Sequence, residues 1–436
     1  MRLKNFLAID FSLLFSAIIL IVFGILFIYS SRVSTSNAAA SQEYIKQILW
    51  GALGLVLALT LAMINYRRIY YISLYLYIAT IVILLYTCIA GREINGARAW
   101  IGIGSFGIQP SEFAKITTIL LLAQYLDYSK RNTSDLQRFL VVSFIAFLPM
   151  LIVLVQPDFG TSLVFIPILL VMTFIAGIQL RYIAFLSLII LFSSLMIVLP
   201  FWQEHVIRKS VSLLSLLNDI RFIMVFTAAM VLIFFTALFG FMRFKKKYFY
   251  WIDYFALVLL LSAIFSYGAQ KVLKPYQINR LVVFIDPNVD PRGAGWNIIQ
   301  SITAIGSGGV LGKGYLQGTQ SHYRFLPQQS TDFIFSIFSE EWGFLGGILL
   351  FTLFLTICLR LIKIMKTTKD PFGCYITAGI SAMFIFHFLI NIGMTMGIMP
   401  ITGIPLLFMS YGGSSLISAM IGIGLALSVY IRRFQY

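Results

Sequence analysis

Three acidic residues in one stretch carry the first chemical signal. Asp332 lies in Gln328-Gln329-Ser330-Thr331-Asp332-Phe333, where a polar segment turns into a long apolar run, and Glu340-Glu341 follow inside that run. A carboxylate kept at or within an apolar span is costly, so it marks a functional candidate. Asp332, Ser336 and Glu340 recur every four residues and share one face of a continuous helix. A carboxylate facing a polar cavity can serve as a general base. The competing account is capping, since Asp is stabilising at a helix start. Capping covers Asp332 but leaves the two deeper glutamates unexplained.

A second charged set lies upstream. Glu112 and Lys115, in Gln109-Pro110-Ser111-Glu112-Phe113-Ala114-Lys115, are three apart and face the same way on a helix begun by Pro110 and Ser111. Asp158 lies in Gln156-Pro157-Asp158-Phe159-Gly160, where Pro157 and Gly160 interrupt the helical pattern. A buried unpaired charge is costly, so Lys115 is expected to pair with Glu112, Asp158 or both. The same pairing could equally be a structural lock on three helices. Arg98 stands beside Trp100 in Asn95-Gly96-Ala97-Arg98-Ala99-Trp100. That pair can hold a phosphate or sugar, although Trp also belongs to the ordinary aromatic belt. The run from Gly306 to Gly314 includes Lys313 and could cradle a phosphate on backbone N–H groups, or form plain turns. It is not a P-loop, because Gly-Lys-Ser/Thr is absent. His205, His322 and His387 lack metal-ligand spacing, and His387 reads as a packed, hydrogen-bonded residue in an apolar helix.

The elements that must position these groups are membrane helices. Hydrophobic residues make up 60% of the chain and charged residues 11%, and the mean hydropathy is +0.92. A soluble domain cannot hide that much apolar surface, and unbroken runs of about 20 residues point to helices and not to a barrel. Twelve spans are expected, near 10–30, 44–64, 69–90, 111–128, 139–156, 160–177, 183–200, 220–241, 250–268, 333–358, 373–392 and 413–431. The first is too long for a signal-peptide core and reads as a retained helix. Cys88, Cys358 and Cys374 suggest neither a disulfide framework nor a metal cage.

The formal charge of +16 is better explained by topology and anionic lipid than by nucleic acid. With both termini in the cytoplasm, 18 of the 32 Lys and Arg residues fall in inner segments, including Arg67, Arg68, Arg243, Lys245–Lys247, Arg432 and Arg433. The positive-inside rule then places the long 271–332 segment, Asp332 and the candidate active site on the outer face.

At this point six motifs stand in the order of a known family. They are Asn95 to Ile101, Gln109 to Lys115, Gln156 to Ser162, Gly306 to Gly314, Thr331 to Phe335 with Glu340-Glu341, and Pro400 to Ser415. The chain resembles, nearly end to end, the SEDS family (shape, elongation, division and sporulation) of peptidoglycan polymerases. Its ending, Met399 to Ser415, is more similar to the RodA-like elongation branch than to the division branch. The resemblance implies an all-α polytopic membrane protein with a ten-helix core. The twelve expected spans then mean a two-helix insertion, and the expected divisions are 1–200, 201–270, 271–332 and 333–436.

The resemblance also implies an activity: polymerisation of lipid II into β-1,4 glycan strands with inversion at the sugar. Asp332 matches the family's essential acid and would be the general base. Glu112, Lys115, Gln156, Asp158, Glu340 and Ser410 would line or shape the cavity, with Trp100 at its entry. Arg98, Lys313 and Arg324 are candidate diphosphate contacts. A divalent cation, Mg or Mn, could share that role with Asp332, and no organic cofactor is expected. Expected partners are a class B penicillin-binding protein and membrane proteins of the elongation machinery, in the bacterial inner membrane. The rival readings are a transporter that flips a lipid-linked precursor, a division- or sporulation-branch polymerase, and a non-catalytic scaffold.

Overall fold

The computed structural model describes residues 9–32, 42–94, 96–103, 106–130, 133–203, 219–272, 275–291, 293–323, 325–326 and 328–435. Helices stand at all twelve expected positions. In chain order they begin with α1 (Phe11–Ser30), α2 (Glu43–Met63) and α3 (Tyr66–Ala90). After three short strands come α4 (Pro110–Ser129), α5 (Asp135–Val155), α6 (Phe159–Leu163), α7 (Phe165–Ile175) and α8 (Leu180–Trp202). Then follow α9 (Ile220–Phe244), α10 (Lys247–Val272), α11 (Pro275–Ile285), α12 (Ala294–Ser307) and α13 (Thr319–His322). The chain finishes with α14 (Ile334–Thr367), α15 (Pro371–Thr395) and α16 (Gly413–Ile431). Among the described residues, ten helices are long and apolar enough to cross a membrane. The other two expected spans are α4, which carries Glu112, Lys115 and Asp127, and the α6–α7 pair, which is shorter. The protein is a multi-pass membrane protein.

The chain divides into two compact units, one holding the residues up to Ile178 and from Gln300 onward, the other Gln179–Ile299. In the second unit α8, α9 and α10 pack together, and α9 and α10 are the helical pair expected at 201–270. In the first unit α16 is 83% buried over its span and packs closely on α2. The approach depends on Gly424, where a Cβ would lie 2.7 Å from the Ala58 carbonyl. Helix ends follow local sequence: Asp10, Asn65 and Ser134 each cap the helix they precede. Asp10 also binds Arg360, and Asp370 binds Arg67, so these ends are joined across the unit.

Two connecting segments carry regular structure of their own. Residues expected as a plain outer loop form a three-stranded antiparallel meander, β1 (Arg92–Ile94), β2 (Ala97–Ile103) and β3 (Phe106–Ile108). The strands are too short for period-two patterning to stand out. The long 271–332 segment carries three short helices, α11 to α13, within the expected loop. In α12 and just beyond it, Gly295, Ile298, Ser301, Ala304 and Gly308 are buried at helical spacing. Small and polar types at those positions hide the pattern from a hydrophobicity reading.

The main irregularity is a break in α14 at Gly343, whose φ of 63° and ψ of −159° interrupt the helix. The run 308–314 inserts at this break. Phe344 N donates to Gly309 O at 2.9 Å and Leu345 N to Val310 O at 3.1 Å. In return Lys313 N donates to Glu340 O and Gly314 N to Glu341 O, both at 3.0 Å. The loop therefore supplies the partners that an interrupted helix lacks, as backbone at membrane depth requires. A Cβ on Gly343 would sit 2.3 Å from Gly312 N. Gly343→Ala is expected to lose roughly 1–3 kcal/mol of stability through backbone strain alone, and more from the clash. Purified Gly343→Ala protein should melt several degrees below wild type in detergent, and an unchanged melting temperature would refute the tight fit.

Candidate active site

Asp332 lies in the turn before α14, not in the helix, whose first cap position is Phe333 without a side-chain cap. Phe333 and not Asp332 holds the N-cap position, and the expected face Asp332–Ser336–Glu340 is not continuous because its first member precedes the helix. Asp332 is half-buried, whereas Ser336 and Glu340 are fully buried. Its position is held through the backbone. Asn391 Nδ2 on α15 donates to Asp332 O at 3.0 Å and to Ile404 O at 2.8 Å. Ser336 is tied to Ser301 on α12 at 2.6 Å between hydroxyls, and Ser301 also donates to Thr395 O at 2.6 Å.

The same turn rests on a polar cluster that the sequence reading did not single out. Arg32, just beyond α1, donates from Nε to Glu43 Oε2 at 3.0 Å and reaches Ser330 Oγ at 3.3 Å. Ser330 Oγ donates to Glu43 at 2.9 Å, and Ser330 O accepts from Tyr411 N at 2.7 Å. Gln47 on α2 donates to Ser410 O at 3.2 Å. Charged Arg32 and Glu43 at the adjoining ends of the first two spans were the available signal. Without contacts they look like ordinary interfacial charges.

The Glu112–Lys115 pair forms as expected, 2.8 Å apart and buried on both sides. Lys115 Nζ also contacts His387 Nε2 at 3.0 Å, and His387 Nδ1 lies 3.0 Å from Pro405 O. An ammonium only donates, so Nε2 accepts and the neutral imidazole carries its hydrogen on Nδ1, facing the carbonyl. Ser418 Oγ donates to the other oxygen of Glu112 at 3.3 Å. Asp158 has different hydrogen-bond partners: it caps α6 through Thr161 N at 3.1 Å and accepts from Gln109 Nε2 at 2.7 Å. Gln109, the residue before α4, thus brings Asp158 to the helix that carries Glu112 and Lys115. His387 and Asn391 are one turn apart on α15 and take the consecutive carbonyls of Pro405 and Ile404. One helix therefore links the Lys115 cluster to the Asp332 turn.

The remaining candidates are spread more widely. Gln156 is buried and binds Leu84 O at 2.8 Å, joining α5 to α3. Ser410 Oγ accepts from Leu406 N at 2.9 Å and closes a turn. Lys313 Nζ binds Glu340 at 2.8 Å and Thr319 Oγ1 at 2.7 Å. Glu340 also accepts from the N–H groups of Thr319 and Gln320 at the start of α13. Glu341 accepts from Ser30 Oγ and from Leu316 N at 3.2 Å. Arg98 is exposed and pairs loosely with Glu93 at 3.4 Å, while Trp100 lies over Gly107 in the meander. Arg324 falls outside the described residues. Among the described residues no three His, Cys, Asp or Glu side chains gather as a metal-binding group.

These residues sit in a multi-pass helical bundle with a buried lysine cluster and a half-buried acid before α14. A family model for FtsW, RodA and SpoVE, described as cell cycle protein, matches residues 11–221 and 201–434. The chain belongs to this family. It is 47% identical to the peptidoglycan glycosyltransferase RodA of Treponema pallidum, covering 99% of this chain and all of that one. It is 30% identical to the peptidoglycan glycosyltransferase MrdB of Escherichia coli K12, covering 98% and 94%. A solved chain described under "Structural coordination of polymerization and crosslinking by a peptidoglycan synthase complex" superposes with a TM-score of 0.68 at 26% identity, covering 99% of this chain and all of that one.

Removing one member of a buried ion pair typically costs about 3–5 kcal/mol. Lys115→Ala should therefore lower the melting temperature of the detergent-purified protein markedly. Lys115→Met combined with Glu112→Gln should recover much of the loss, because neither side then holds a lone charge. Wild-type melting in Lys115→Ala would rule out a stabilising pair.

Proposed function

We propose that this protein is a peptidoglycan glycosyltransferase that polymerises lipid II into β-1,4 strands for cell-wall elongation, with Asp332 as general base. The observation that carries the reading is the setting of Asp332. It is a half-buried carboxylate in a turn fixed by Asn391 and by the Arg32–Glu43–Ser330 cluster, so its position is set while its side chain is not wholly enclosed. The 47% identity to a glycosyltransferase of the elongation class supports the branch, and a precursor flippase is not favoured.

The reaction follows from the chemistry of the substrate. The acceptor sugar's 4-hydroxyl gives its proton to the Asp332 carboxylate as its oxygen attacks C1 of the donor. The C1–oxygen bond to the diphosphate breaks, and the polyprenyl diphosphate departs with the bonding electrons. Attack opposite the leaving group converts the α donor linkage into the β product. Arg98, Lys313 and Arg324 are the proposed contacts for the departing charge. Lys313 also holds Glu340, so its part couples the leaving group to the loop at the helix break. Glu112, Lys115, Gln156, Asp158, Glu340 and Ser410 keep the site in shape, and Trp100 borders its entry. A divalent cation at Asp332 would draw most of its oxygens from the diphosphate and water.

The proposed location is the bacterial inner membrane, with both termini in the cytoplasm and Asp332 outside, as the distribution of Lys and Arg supports. The proposed partners are a class B penicillin-binding protein and other membrane proteins of the elongation machinery. The similar solved chain, described under a title about polymerization and crosslinking, supports the first of these.

Purified Asp332→Ala and Asp332→Asn proteins, with the transpeptidase partner, should make no glycan strands from lipid II while melting like wild type. Strand synthesis by either variant would sink the base assignment. Chelation followed by return of Mg or Mn decides the cation: loss and recovery of synthesis supports it, and unchanged synthesis excludes it. For topology, Tyr323→Cys in a chain lacking Cys88, Cys358 and Cys374 should react with an impermeant maleimide added outside intact cells. Labelling only after lysis would invert the orientation.

A further inference from the structure

A groove of about 700 Å³ lies where α2 ends, α3 begins and α16 ends, at the opposite end of these helices from the Asp332 turn. It is lined by Leu59, Thr60, Met63, Ile64, Asn65, Arg68 and Arg432. Its floor is built. Arg432 is 7% exposed and donates to the carbonyls of Ala62 at 3.1 Å and Met63 at 2.6 Å, closing the end of α2. Ser428 Oγ secures Ile64 O at 2.6 Å. Its mouth is cationic: Arg68 is exposed in the first turn of α3, whose N-terminus also favours an anion. Among the described residues no carboxylate lines it, and the neighbouring Asp370 is bound to Arg67.

The apolar wall continues along α2. Leu49, Leu53, Val56 and Ile64 are 56%, 44%, 60% and 40% exposed, in a line at helical spacing along the span. A cationic cup opening onto an apolar track matches one ligand class, a molecule with an anionic phosphate head and acyl chains. We propose that this groove binds the headgroup of an anionic phospholipid, with an acyl chain lying along the exposed face of α2. A soluble phosphate compound would leave that track unused. The site is separate from glycosyl transfer and does not depend on it.

The test is native mass spectrometry of the purified full chain titrated with phosphatidylglycerol, with phosphatidylcholine, and with phosphatidylglycerol plus millimolar inorganic phosphate. Wild type should retain phosphatidylglycerol over phosphatidylcholine and keep it in the presence of phosphate. Each basic side chain near an anionic lipid is worth about a fivefold change in binding, so Arg68→Glu should lower retention tenfold or more. Thr60→Trp, which fills the groove from an exposed position, should lower it without altering charge. Both variants should melt as wild type in lipid-free detergent. Equal retention of the two lipids, retention unchanged by both substitutions, or displacement by inorganic phosphate would each overturn the proposal.

Discussion

The pairing between the 308–314 run and the broken helix at Gly343 is the contact on which the candidate site depends. A helix interrupted inside a membrane leaves N–H and C=O groups with nowhere to go, because hydrocarbon offers no partners. Here the loop donates at Lys313 and Gly314 and accepts at Gly309 and Val310, so both sides of the break are satisfied. The two glutamates at the break use their side chains in the same cause. Glu340 holds Lys313 and the start of α13, and Glu341 holds Ser30 and Leu316. The first half of α14 can then sit apart from the second, and Asp332 opens that first half. A residue with a Cβ at 343 would collide with the loop backbone, which makes glycine a condition of the arrangement.

Charge is managed by the same economy of partners. Lys115 is fully buried, and two of its three donors are met by Glu112 and a neutral His387. His387 passes its own hydrogen to Pro405 O, and Asn391, one turn on, takes Ile404 O and Asp332 O. The buried pair and the Asp332 turn are thus held by one helix face and one short stretch of loop. Asp332 is half-buried, as Asp158 and Glu43 are, and Asn391 holds its backbone carbonyl. Glu340 and Glu341, by contrast, are fully buried and hold the scaffold.

Much of this could be read along the chain. Unbroken apolar runs gave helices at twelve positions, and the spacing of Glu112 and Lys115 gave their pairing. The acid ahead of the tenth span drew attention because charge is rare there. Other features resisted. The meander at 92–108 is too short for alternation to show, and α12 buries small and polar residues that a hydropathy reading passes over. Lys115 is expected from the sequence to pair with Glu112, Asp158 or both. It bonds to Glu112, while Asp158 bonds to Gln109 and Thr161. Arg32 and Glu43 looked like interfacial charges until the fold brought Ser330 between them.

The sequence by itself determined the membrane class, the helical fold and the family, and it offered Asp332 as a candidate. These depend on local composition, on spacing within one helix and on motifs contiguous in the chain. Only the tertiary structure decided which charges meet, that Asp332 stands before its helix, and that a glycine-rich run seals a broken span. Those depend on groups separated by tens to hundreds of residues. A hydrogen bond is set by angstroms in space, and sequence periodicity carries no record of that distance.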